Sequence, residues 1–196
     1  MRIIGITGNS GSGKSTVSKM ISENYEAKII DADKIAKEMT MNNGEYLQAI
    51  KQTFGEDVIK DNTLDRKKLA DIVFSNKTEK EKLDSLTFEY VVRRIKEEIK
   101  KAQLKSDIKY IVLDVPLLFE SKLNEVCNYT IGVTAPKIEK IKRICKRDKL
   151  SEEKALQRLN SQPDDEFFIQ KCDFIIQNMN NEKTEEKVNE IMLKLQ

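Results

Sequence analysis

Residues 2–21 read RIIGITGNSGSGKSTVSKMI, and three kinds of local order follow one another within them. Arg2 to Thr7 is a short β-branched run ending at Gly8, as expected of a parallel strand buried on both faces. After Lys14, the apolar residues Val17, Met20 and Ile21 recur at helical spacing. Between strand and helix, Gly8, Asn9, Ser10, Gly11, Ser12, Gly13, Lys14 and Ser15 fit the pattern G-x-x-x-x-G-K-[ST]. Glycines in such a loop let the backbone curl until consecutive N–H groups point inward at phosphate oxygens, and the helix behind adds its positive end. Lys14 is placed to reach the β and γ phosphates, and the Ser15 hydroxyl to hold Mg²⁺. The expected nucleotide-binding set is therefore Gly8, Gly11, Ser12, Gly13, Lys14, Ser15 and Thr16.

Working outward, further short apolar runs at Ala27–Ile30, Tyr110–Val115, Tyr129–Val133 and Asp173–Ile176 alternate with helical patterns. Five strands in this alternation predict an α/β chain of the P-loop NTPase fold, a five-stranded parallel sheet flanked by helices. Two segments exceed what a crossover needs. Between the second and third strands, Leu83, Leu86, Val91, Val92, Ile95 and Ile99 trace one apolar helical face, so residues 41–107 read as a helical acceptor-binding insertion. Residues 136–163 read as a short helical lid, leaving 1–40, 108–135 and 164–196 as the nucleotide-binding core of a single domain. In the lid, Ile138, Ile141, Ile144 and Cys145 are expected to face inward. Lys137, Lys140, Lys142, Arg143, Lys146, Arg147 and Lys149 are expected on the exposed side, and Ser151 as a helix cap ahead of Glu152 and Glu153.

The bulk numbers remove alternatives. Within 196 residues, 35 Lys and Arg stand against 33 Asp and Glu, so a net charge of +2 gives no chain-wide case for nucleic acid or an anionic membrane. Seven cations against Glu139 and Asp148 make residues 137–149 locally +5, and the remainder of the chain is then −3. The chain has no histidine, which excludes Ser-His-Asp and Cys-His mechanisms and leaves carboxylates, lysine, arginine and backbone dipoles as catalytic groups. Cys127, Cys145 and Cys172 have neither the number nor the spacing of a disulfide framework or zinc site and read as reduced core cysteines. With no signal-like start and no stretch long enough to span a bilayer, a cytoplasmic protein, monomeric or weakly homo-oligomeric, is expected.

Phosphoryl transfer from ATP asks for a carboxylate near the acceptor hydroxyl and cations on the moving phosphate. Ligands of open parallel sheets bind where the strands end. Asp31 and Asp33 follow the second strand and Asp114 closes the third. Asp33 is the candidate for orienting the acceptor proton, Asp114 for the metal side together with Ser15. Helix capping is the alternative for Asp31 and Asp33, and a strand-end hydrogen bond for Asp114. Arg143 and Arg147, four apart on one helix face, are the candidate lid arginines, because guanidinium forks match phosphate oxygens.

These residues resemble a family, dephospho-CoA kinase. The likeness runs through GNSGSGKST, IIDADKIAKE, LDRKKLADIVF (64–74), VLDVPLLFE (112–120), KRDKLSEEKALQRLNSQ (146–162) and KCDFIIQN (171–178). It implies ATP- and Mg²⁺-dependent phosphorylation of the ribose 3′-hydroxyl of dephospho-CoA, with Asp33 near that hydroxyl, Arg143 and Arg147 in the lid, and a helical CoA-binding subdomain. The chain departs from the family at Phe88 and Glu89, where His-Pro is usual, and this falls on the acceptor side. Kinases for nucleosides or nucleoside monophosphates are the nearest alternatives. A guanine-nucleotide switch is disfavoured: Asn76, Lys77 and Glu79 approach N-K-x-D, but they sit in a helical region and no D-x-x-G follows the loop.

Overall fold

The computed structural model describes residues 1–41 and 44–195, with the side chains of all but residues 74 and 75. Residues 42, 43 and 196, which fall in the expected insertion and core, lie outside the described residues. The chain forms two compact units, one of residues 1–30 and 101–196, the other of residues 31–100.

The first unit is built on β1 (Arg2–Thr7), followed by α1 (Lys14–Asn24) and β2 (Ala27–Asp31). After the chain has passed through the second unit come β5 (Tyr110–Asp114), β6 (Tyr129–Thr134), α6 (Lys137–Asp148), α7 (Glu152–Asn160), α8 (Asp165–Lys171), β7 (Phe174–Gln177) and α9 (Asn181–Lys194). The sheet order is β2-β5-β1-β6-β7, with β1 at the centre. Both neighbours of β1 are parallel to it, Ile6 lying beside Asp114 on one side and Ile131 on the other. The five strands are those expected, each within a residue of its predicted bounds. Their β-branched side chains explain the choice of strand: Ile4, Ile6, Val112, Ile131, Val133 and Ile176 are buried in one cluster with Val17 and Ile21 of α1 and Val188, Ile191 and Met192 of α9.

The second unit holds α2 (Ala32–Met39), α3 (Glu45–Phe54), α4 (Arg66–Ser75) and most of α5 (Lys77–Gln103), with a hairpin of β3 (Ile59–Lys60) and β4 (Thr63–Leu64) between α3 and α4 in the chain. Tyr46, Ile50, Val58, Leu69 and Val73 form its core, with Leu83, Leu86 and Tyr90 packed against them from α5. The hairpin corrects the expectation of an all-helical segment. Asp61 and Asn62 both adopt positive φ, 49° and 58°, which closes a two-residue turn between antiparallel partners Lys60 and Thr63. Asn76, weighed as part of a guanine-reading motif, uses its side-chain oxygen to accept the Thr78 N–H at the start of α5.

Among the described residues no helix is long and apolar enough to cross a membrane.

Candidate active site

The loop between β1 and α1 is shaped by its neighbours. Gly11 and Gly13 have φ of +76° and +97°, a region that side chains disfavour. Space excludes a side chain as well: a Cβ on Gly11 would lie 2.5 Å from the Lys140 carbonyl oxygen, and one on Gly13 1.8 Å from Asn178 Nδ2. Behind Gly13, α1 starts with no side-chain cap and no acidic residue in its first turn. By contrast α2, α4, α7, α8 and α9 are capped by Asp31, Asp65, Ser151, Asp164 and Asn180, and α3 and α6, also without a side-chain cap, carry Glu45 and Glu139 in their first turns. A helix N-terminus left without its own carboxylate or hydroxyl suits an anion. Inside the same curl, the Ser12 hydroxyl is fully buried and has no hydrogen-bond partner among the described residues. A buried donor of this kind fits a phosphate oxygen.

Lys14 Nζ donates to the Gly8 carbonyl at 2.9 Å and lies 3.3 Å from that of Asn9, so its ammonium is held at the loop. Ser15 and Thr16 are exposed at the start of α1. Asp114 is buried at the end of β5, where the Ser18 hydroxyl lies 3.1 Å from its Oδ2 and 3.1 Å from the Lys14 carbonyl oxygen. The strand-end hydrogen bond considered for Asp114 is therefore present, and it ties β5 to the first turns of α1. Among the described residues no group of three His, Cys, Asp or Glu is gathered for a metal. A Mg²⁺ carried by phosphate oxygens and water needs only one or two protein oxygens, for which Ser15 and Asp114 are of the right type.

Arg143 and Arg147 share a helix face but not a target. Arg143 reaches the loop from α6, donating to the carbonyls of Gly11 (3.2 Å), Ser12 (3.2 Å) and Asn178 (3.3 Å). Arg147 grips Asp148 with a two-pronged fork, 2.8 and 2.9 Å, and Arg158 from α7 donates to the same carboxylate. The Arg147 hydrogen bonds, and then the positive charges of both arginines, hold the Asp148 carboxyl down to about 2 against the cost of burial. Two expectations for this segment change. Lys140, expected in solvent, is buried and paired at 2.7 Å with Asp165 at the start of α8. Ile138, expected inward, is exposed, while Ile144 is buried with Ala155 and Leu159, and Ile141 and Cys145 pack against them. The Ser151 cap of α7 is present, its hydroxyl accepting the Lys154 N–H at 3.4 Å.

Several residues that the sequence shows only inside longer motifs, with no role assigned to them, complete the loop's surroundings. Asn178, directly after β7, donates from Nδ2 to the Ser12 carbonyl at 2.9 Å, while its own N–H bonds Thr134 and Thr184 donates to its Oδ1. Asn9 Nδ2 donates to the Pro163 carbonyl, 2.9 Å, and Gln162 bonds both polar groups of Ser10. A cavity of about 460 Å³ adjoins these contacts, lined in part by Asn9, Lys140, Gln162 and Asp165. The available signal was position: Asn178 and Gln162 are polar residues at the ends of predicted elements, where ligand loops gather.

In the second unit, Asp31 caps α2 by accepting the Lys34 N–H at 2.9 Å, the alternative considered for it, whereas Asp33 is exposed in the first turn of that helix. Phe88 and Glu89 lie exposed within α5. The preceding Thr87 bonds the Tyr46 hydroxyl at 2.9 Å, and burial raises the Tyr46 pKa above its ordinary value. A cavity of about 340 Å³ between α2, α3 and α5 is lined by Ile35, Glu38, Tyr46, Tyr90, Arg93 and Arg94, among others. Arg93 lies 4.5 Å over the Tyr90 ring and pairs with Glu45. All three cysteines are free thiols, and burial pushes those of Cys127 and Cys172 up to about 12 and 11.

A central parallel strand, a side-chain-excluding phosphate loop at its end and an uncapped helix behind it together define a P-loop nucleotide-binding protein. The same fold appears in shikimate kinase from Acinetobacter baumannii, with a TM-score of 0.55 at 14% identity, each chain covered to 93% or more. The model of the dephospho-CoA kinase family matches residues 2–184, and the chain belongs to that family. A dephospho-CoA kinase of Fusobacterium nucleatum is 41% identical over 180 residues, 91% of this chain and 90% of that protein. The solved dephospho-CoA kinase from Campylobacter jejuni superimposes with a TM-score of 0.70 at 33% identity, covering 98% of this chain and 96% of that one.

Proposed function

We propose that this chain transfers the γ-phosphoryl group of ATP to the ribose 3′-hydroxyl of dephospho-CoA, giving CoA and ADP, the last step of coenzyme A synthesis. The observation that carries the reading is the phosphate loop, whose glycines admit no side chain at an uncapped helix end, in a chain of the dephospho-CoA kinase family. Backbone N–H groups of the loop, the Ser12 hydroxyl and the Lys14 ammonium hold the triphosphate. Ser15 and Asp114 are the residues for Mg²⁺, which when bound supplies charge neutralisation on the β and γ phosphates. Asp33 accepts the proton of the acceptor hydroxyl as its oxygen bonds the γ-phosphorus and the bond to the β–γ bridging oxygen breaks. Arg143 holds the loop through its carbonyls, and Arg147, by family likeness, is the lid arginine for the transferring phosphate.

Phe88 and Glu89 on the exposed face of α5 make acceptor choice the point to test. ADP release is measured with ATP, Mg²⁺ and, in turn, dephospho-CoA, nucleosides and nucleoside monophosphates. The proposal expects turnover with dephospho-CoA well above all others and above ATP alone; equal release with and without dephospho-CoA overturns it.

A further inference from the structure

Ser10 is the residue of the phosphate loop whose side chain and backbone are both claimed by one partner. Its N–H donates to Gln162 Oε1 at 2.9 Å, and its hydroxyl oxygen lies 3.2 Å from Gln162 Nε2. A backbone N–H can only donate, so the carboxamide oxygen must face it and the NH₂ must face the hydroxyl; the pair has one workable orientation. One residue further along, the Pro163 carbonyl takes the side-chain amide of the buried Asn9. The turn between α7 and α8 therefore grips consecutive residues of the loop from outside its curl, and the Lys140–Asp165 ion pair ties α6 to the start of α8 just beyond that turn.

We infer that Gln162 is a positioning residue for the nucleotide: by engaging both polar groups of Ser10 it turns that N–H outward and sets the curvature that aims the remaining loop N–H groups at the triphosphate. The inference rests on the kinase reading for its ligand but concerns ATP alone, not the acceptor.

Gln162→Met keeps the length of the side chain and removes both hydrogen bonds. Two neutral, partly exposed bonds contribute on the order of tenfold to an equilibrium that depends on them. The expected result is an ATP KM, and a Kd for an unreactive ATP analogue, raised about tenfold, with the dephospho-CoA KM unchanged. Ser10→Ala removes only the hydroxyl half and is expected to raise the ATP values about threefold, with little further loss when added to Gln162→Met. Unchanged ATP values in folded Gln162→Met overturn the inference, and so does an equal rise in both KM values or full additivity of the two substitutions. If Gln162→Met does not fold, Ser10→Ala decides alone, unchanged ATP binding counting against. A wild-type chain that binds the analogue but ignores dephospho-CoA would refute the proposed acceptor and leave the analogue titration to judge Gln162.

Discussion

Replacing Gly13 by alanine tests how the loop is held, and Gly55 supplies its control. Both glycines have positive φ, +97° and +98°, with ψ of 26° at Gly13 and 166° at Gly55, so alanine is strained at either place by about 1–3 kcal/mol, the more so at Gly55, whose conformation is essentially confined to glycine. Gly55 has nothing within 4 Å of an added Cβ, and its substitution should cost stability alone. At Gly13 the new methyl would lie 1.8 Å from Asn178 Nδ2 and 3.1 Å from its Cγ, so the amide must leave and its 2.9 Å bond to the Ser12 carbonyl must break. That loss adds about 1 kcal/mol to the strain, and all of it falls on the segment that aims at phosphate. A free loop that relaxes out of this strain must regain it on binding, so up to roughly 2–4 kcal/mol is lost from binding, an ATP affinity weaker by as much as about 30- to several-hundred-fold. Isothermal titration with an unreactive ATP analogue reads the affinity, and thermal denaturation reads the stability. The expected pattern is a Gly13→Ala protein that folds and barely binds, beside a Gly55→Ala protein that melts lower and binds ATP normally. Affinity within threefold of wild type in Gly13→Ala would refute the account of the loop.

Asp33→Asn should reduce kcat by orders of magnitude while the ATP KM stays within a few-fold, because the carboxylate serves the acceptor rather than the nucleotide; undiminished turnover removes its role. Cys127 and Cys172, with thiols held near 12 and 11 by burial, should resist iodoacetamide at pH 8 in the native state; peptide mass spectrometry showing either alkylated within minutes contradicts this. Asp148 has a folded pKa below its ordinary value, so its contribution to stability is complete above about pH 4 and disappears as pH falls toward about 2. Acid denaturation of Asp148→Asn against wild type should show the difference at pH 6 and its loss near pH 2; a gap that widens on acidification would reverse the sign.

What the sequence made legible follows from the range of the forces involved. The sheet strands and the phosphate loop could be read because local composition decides them: β-branched runs too apolar for solvent, and glycines at fixed offsets before a lysine. The β3–β4 hairpin escaped because two-residue strands carry almost no periodicity, and its Asp61-Asn62 turn was the only mark left. Lys140 was misjudged because helix periodicity has no knowledge of Asp165, the carboxylate that makes its burial tolerable. Arg143 was singled out as a lid arginine for the transferring phosphate, yet its hydrogen bonds in the structure go to the carbonyls of Gly11, Ser12 and Asn178. No spacing rule could assign those, since they come from residues more than thirty positions away on either side.

The clasp of Asn178 on Ser12 joins positions 166 apart in the chain. During synthesis the amide that shapes the loop is added roughly 8–33 s after the loop itself at ordinary rates of about 5–20 residues per second. For more than half of that interval β1 also lacks both flanking strands, since β5 begins only at Tyr110 and β6 at Tyr129. Until β7 and the residue after it have been made the loop lacks this clasp, so an anion held by the finished loop can act as a folding ligand only late in synthesis.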